Sequence, residues 1–141
     1  MKTGKTFADL AVGMQVSIQN TVKEQDVVDF ARVSGDHNPL HMDEDYAKTT
    51  TFGERIAHGM LSAAYISAVI GTKLPGPGSI YLSQSLRFRR PVKIGDLVTA
   101  RASIAALEAD KGRATLATTC EVDGKVVLDG EALIMVPKRP A

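Results

Sequence analysis

From Ile56 to Thr72 the chain carries no formal charge, and that run governs what the rest of the sequence can become. His58, Gly59, Ser62, Ser67 and Gly71 interrupt it, and its length is marginal for a bilayer. It reads instead as a buried helix from about Gly59 to Ile70, stopped by Gly71. Met60, Leu61, Ala63, Ala64, Tyr65, Ile66, Ala68, Val69 and Ile70 cover almost every direction around that helix. A helix apolar nearly all round has to be enclosed by other structure.

The enclosing material follows it. After the loop Leu74-Pro75-Gly76-Pro77-Gly78 come extended segments near 79–90, 96–107, 113–122 and 125–136. Their turns are Pro91 to Gly95, Ala109 to Gly112 and the hairpin dipeptide Asp123-Gly124, and connections this short join antiparallel neighbours. Upstream, Val16 and Ile18 alternate with polar residues, which predicts a strand from about Met14 to Asn20. Thr21-Val22-Lys23-Glu24 matches a capping box, and Val27, Val28, Phe30, Ala31 and Val33 form the apolar face of the helix it opens, with Gly35 as the stop. Asp43-Glu44-Asp45 opens a second short helix through about Thr49. The sum is one α+β domain over residues 1–141, an antiparallel sheet wrapped around one central helix. Such a sheet has two edges, and a small chain commonly hides one against a second copy of itself.

Composition narrows the function classes. The 17 Lys+Arg against 16 Asp+Glu leave a formal charge of +1, without the basic excess that nucleic-acid binding demands. The lone Cys120 excludes an intrachain disulfide framework and any CxxC motif. Met1 to Val16 builds no apolar signal core, so the expected location is the cytoplasm, with no membrane association.

The chemistry concentrates between Phe30 and His41. Asp36 and His41 straddle Asn38-Pro39, and because proline disfavours helix at the residue before it, the segment between them is expected to be a turn. Such a turn can bring carboxylate and imidazole to one point, where together they orient and deprotonate a water. Alternatively, Asp36 only caps the preceding helix and His41 is a satisfied core histidine. The start of the enclosed helix, Ala57-His58-Gly59-Met60, offers free N–H groups to an oxyanion, with Gly59 allowing close approach. The competing reading of Gly59 is tight helix–sheet packing.

Between Glu54 and Asp96 there is no acid, whereas Arg55, Lys73, Arg87, Arg89, Arg90 and Lys93 are basic. That patch suits the phosphates of a carrier such as coenzyme A, or else protects a strand edge. Asp36, His37, His41 and His58 match no familiar ligand spacing, so no metal is expected. Glycine-rich phosphate motifs are absent, and no cofactor is expected.

Taken together these motifs resemble the MaoC-like (R)-specific enoyl-CoA hydratases, which have the hot-dog fold. The resemblance rests on Gly35-Asp36-His37-Asn38-Pro39-Leu40-His41 and on Ile56-Ala57-His58-Gly59-Met60-Leu61. Later stretches, Leu74 to Leu82 and Phe88 to Asp96, extend it over nearly the whole chain. It implies reversible addition of water to a trans-2-enoyl thioester, giving the (R)-3-hydroxyacyl product. In that picture Asp36 and His41 hold one water, and the sequence alone does not separate their roles. One of them, with Asp36 the favoured choice, acts as base while the other shuttles or donates the proton, and Asn38 fixes the loop. The Gly59 N–H binds the thioester oxygen, and Ser67 supports the site by hydrogen bonding, unless it only bonds its own helix backbone. The family also implies an acyl-CoA substrate and a homodimer with joined sheets. A hot-dog thioesterase or a dehydratase acting on acyl-carrier-protein thioesters is the alternative. Many of those place an acid on the enclosed helix, and Gly59 to Ile70 contains none. Carrier-protein hydration survives that test. A non-catalytic acyl-thioester binding module would have no use for the Asp36–His41 pair.

Overall fold

In the computed structural model, which describes residues 4–139, the charge-free run becomes helix α4 (Gly59–Thr72). Met1–Thr3, the beginning of the stretch read above for targeting, lie outside the described residues. Strand β1 (Gln15–Thr21) leads into α1 (Glu24–Ser34), then the short helices α2 (Pro39–Met42) and α3 (Glu44–Lys48) and finally α4. Beyond it lie β2 (Ile80–Gln84), β3 (Arg87–Phe88), β4 (Leu97–Glu108), β5 (Arg113–Val122) and β6 (Lys125–Met135). The strands form one six-stranded sheet in the order β1-β4-β5-β6-β2, with β3 also on β6. Every pairing is antiparallel.

The sheet wraps α4 because alternate residues face it. On β4 these are Val98, Ala100, Ala102 and Ile104, and on β5 they are Ala114, Leu116, Thr118 and Cys120, all buried. The alanines leave room for Leu61, Ile66, Val69 and Ile70 of the helix, which are also buried. Each such Ile or Leu contributes about 1.5–3 kcal/mol on burial. The Cys120 thiol donates to the Ser62 carbonyl of α4 at 3.4 Å, and burial pushes its pKa up to about 12. Asp123 and Gly124 take φ of 52° and 76°, the paired positive values of a type I′ hairpin turn. No helix among the described residues is long and apolar enough to cross a membrane.

Three local expectations need correction. Helix α4 runs through Gly71 to Thr72 and ends only where Lys73 and Leu74 both donate to the Val69 carbonyl, ahead of Pro75. No contact demands glycine at 71, since a Cβ there meets nothing within 4 Å. Gly71→Ala is therefore expected to raise stability by about 0.5–1 kcal/mol, read as a higher urea midpoint at unchanged slope.

Thr21 ends β1 and is not the cap of α1. The cap is Lys23, whose N–H donates to the Asp26 carboxylate at 2.9 Å, which frees Glu24 for a tertiary contact.

Finally, the extended segment 79–90 breaks into β2 and β3 around Ser85. The Ser85 carbonyl passes so close over Gly130 of β6 that a Cβ at 130 would overlap it. Strand β2 lies at one edge of the sheet with Ile80, Tyr81 and Leu82 exposed.

Candidate active site

Helix α1 ends at Gly35, whose φ of 79° turns the chain out of the helix. The Ser34 hydroxyl donates to the Phe30 carbonyl and accepts the Asp36 N–H at 3.1 Å. The Asp36 carboxylate accepts the Asn38 N–H at 3.2 Å, closing an Asx turn. Asn38 then caps α2 by accepting the Leu40 N–H at 3.1 Å, with Pro39 in the first helical position. The proline both ends one helix and starts another. This four-residue helix, read from sequence only as a turn, carries His41 inward while Asp36 stays exposed.

A second strip of backbone locks the imidazole. His41 Nδ1 lies 2.7 Å from the Ile56 carbonyl. A carbonyl only accepts, so Nδ1 carries the proton and Nε2 presents a bare lone pair. Ile56 is itself fixed, because its N–H donates to the Leu40 carbonyl and the next amide, Ala57, donates to Val92 at 2.7 Å. Arg55 completes the clamp. Its Nε donates to the His41 carbonyl at 2.6 Å, and its Nη1 donates to both Glu24 carboxylate oxygens at 2.8 and 3.0 Å.

A carboxylate oxygen of Asp36 and a ring nitrogen of His41 lie within 4.8 Å of each other. A water making two hydrogen bonds of about 2.8 Å at a tetrahedral angle spans roughly 4.6 Å. A separation within that limit is compatible with one water bridging the pair.

Burial holds His41 below the usual histidine range, and His58 pushes the same way, while the Ile56 carbonyl and Asp36 oppose them. A histidine depressed in the native state binds fewer protons there than in the unfolded chain. Its contribution is present above the unfolded value of 6.5 and lost as pH falls through the native one. The urea midpoint is expected to drop between about pH 7.5 and 5.5, and to drop less in His41→Gln.

His58, which the sequence places at the start of the enclosed helix and assigns no chemical role beyond a discounted metal ligand, is 2% exposed. Its Nε2 lies 2.9 Å from the Asp36 carbonyl and so donates to it, and its ring packs on His41 with centroids 4.1 Å apart. Asp36, His41 and His58 thus bring three donor atoms within 4.8 Å. Nε2 of His58 is committed as a proton donor, whereas its Nδ1 is buried without a hydrogen-bond partner among the described residues. Sequence spacing could not find this contact, which joins residues 17 and 22 positions apart only in the folded chain.

A cavity of about 500 Å³ opens beside His41, with Gly59, Met60, Ser62, Phe88 and Arg90 among its walls. No side chain caps the first turn of α4; the Leu61 N–H donates to the His58 carbonyl, which leaves the Gly59 and Met60 N–H groups to meet a ligand. Gly59 also serves packing: a Cβ there would sit 2.6 Å from the Phe88 ring. That contact bears on the packing reading of the glycine. Ser67 lies eight residues along α4, about 12 Å from Gly59, exposed and outside the cavity wall. Half of the basic run is paired with acids distant in sequence, Arg55 with Glu24, Arg89 with Asp129 and Lys93 with Glu54.

Residues 9–126 match the family described as the MaoC like domain, and the chain belongs to the MaoC-like family. It is 55% identical over 133 residues to an (R)-specific enoyl-CoA hydratase of Rhodospirillum rubrum, covering 94% of this chain and 92% of that one. A 3-hydroxybutyryl-CoA dehydratase of Methylorubrum extorquens is 52% identical over 133 residues, covering 94% and 85%. Among solved structures, unliganded R-hydratase PhaJ1 from Pseudomonas aeruginosa superposes with a TM-score of 0.93 at 48% identity, covering 99% of this chain and 90% of that one. The architecture is the hot-dog fold of these hydratases.

Proposed function

We propose that this protein is an (R)-specific enoyl-CoA hydratase, a hydro-lyase that reversibly adds water across the trans-2 double bond of an enoyl-CoA to give the (R)-3-hydroxyacyl-CoA. The observation that carries this reading is the separation of Asp36 and His41, compatible with one bridging water, beside a cavity reached by the uncapped start of α4.

The water's oxygen attacks C3 while its proton passes to the pair, and a proton is returned to C2. The sequence leaves open which of Asp36 and His41 is the base. The tautomer favours His41, because its bare Nε2 is ready to accept a proton. Asp36 then orients the water and stabilises the imidazolium, which returns the proton to C2. The Gly59 N–H meets the charge that develops on the thioester oxygen. Asn38 holds the loop by capping α2.

Arg90 stands at the cavity wall with no carboxylate partner among the described residues, which suits a coenzyme A phosphate. A homodimer fits the exposed apolar edge of β2. The buried free thiol suits a reducing compartment such as the cytoplasm. The test is hydration of crotonyl-CoA, followed as loss of the conjugated thioester absorbance and then by the chirality of the alcohol. No loss of absorbance, or an (S) product, overturns the assignment.

A further inference from the structure

His58 has no part in the hydration as written, yet it touches both members of the pair. Its Nε2–H holds the Asp36 carbonyl at 2.9 Å. Its ring lies against His41 with the planes 34° apart, and Phe30 of α1 packs on it at 4.9 Å. It is also the N-cap of α4, one peptide link from the Gly59 N–H.

Packing alone would place an apolar residue here. A buried imidazole whose Nδ1 has no hydrogen-bond partner among the described residues carries a desolvation penalty that phenylalanine would avoid. The hydrogen bond it does make goes to the backbone of the catalytic loop. The other side-chain bonds to Asp36, from Ser34 and Asn38, reach only two residues along the chain and cannot fix the loop against α4.

We propose that His58 is a positioning residue that sets the separation of the Asp36 carboxylate and the His41 ring nitrogen, tethering the one through its carbonyl and bracing the other by its face. It lies outside the cavity wall and so is not placed against the substrate. The proposal rests on the hydratase reading, in which a misplacement of about 1 Å can cost on the order of a hundredfold in rate.

Two substitutions separate tether from packing. His58→Phe keeps a ring but loses the donor, whereas His58→Gln loses the ring but puts an N–H near the Nε2 position. With crotonyl-CoA, His58→Phe is expected to lower kcat on the order of tenfold to a hundredfold with KM within about twofold, and His58→Gln to recover most of that loss. A folded His58→Phe with wild-type kcat overturns the proposal, as do equal losses in the two variants.

Should His58→Phe fail to fold, His58→Gln is compared with His58→Asn, whose shorter amide stops short of the Asp36 carbonyl. A faster Gln variant supports the tether and equal rates overturn it. An inert wild-type protein strikes the hydratase reading instead. Amide exchange at Asp36 to Asn38 then still reads the tether, being faster in the variant without the donor than in wild type if the tether exists and unchanged if it does not.

Discussion

Asp36→Asn and His41→Ala are each expected to lower turnover of crotonyl-CoA by on the order of a hundredfold or more, the usual size of an acid–base contribution. The two losses have different origins. Asp36→Asn keeps the shape of the Asx turn but removes the charge that orients the water and would stabilise an imidazolium. His41→Ala removes the acceptor and also empties a buried position that ties α2 to Ile56. The double variant should therefore be little worse than the poorer single one, because residues acting as a unit lose their effect together. Fully additive losses, or near-wild-type turnover in either single variant with the fold intact, would remove the pair from the mechanism. Circular dichroism and urea midpoints are the controls, and Asp36→Asn should stay close to wild type, since the residue is exposed.

The second large effect falls on stability. Gly130→Ala is expected to destabilise the protein by about 3 kcal/mol, at the upper end of what overpacking usually does. The added methyl group would run into the Ser85 backbone carbonyl, which cannot swing aside as a side chain can. The Glu131 N–H also donates to the Ser85 hydroxyl at 3.0 Å, and the Ser85 N–H donates to the Glu131 carbonyl at 2.9 Å, so the crossing is held from both directions. Against a typical stability of about 5–15 kcal/mol this is a substantial share. Activity should suffer too, because Ser85 leads directly into β3, whose Phe88 ring lies against Gly59 at the cavity wall. A urea midpoint within error of wild type would show that the crossing relaxes freely, and the account of why β2 and β3 separate would fail.

Much of this framework was legible in the residue order because its causes are local. Gly35 ends α1, Asp123-Gly124 turns β5 into β6, and apolar alternation marks the face of β4 and β5 that meets α4. The Asp36–His41 pair could be anticipated because a short turn limits where two side chains can go. What stayed hidden depends on partners far along the chain. Arg55 reads as one charge in a basic patch until Glu24, 31 positions away, takes it up. Arg89 meets Asp129 across 40 positions. Gly71 has the composition of a helix stop, but the helix runs on through the exposed Gly71 and Thr72 to the paired bonds of Lys73 and Leu74 on Val69, and a glycine inside a helix costs only about 1 kcal/mol. Pro39 shows the same limit at short range: it was legible as a breaker, whereas its second role depended on Asn38 turning its side chain onto Leu40.

The Cys120 thiol, fastened to the helix behind the sheet and raised out of its reactive range, has a practical consequence. The sole sulfhydryl of the chain is silent toward a colourimetric disulfide reagent while helix and strand remain together. Its labelling rate consequently clocks the transient parting of β5 from α4, without any denaturant. Each substitution considered above could be ranked by that clock, and a new cysteine placed on the surface would be the one position to accept a dye.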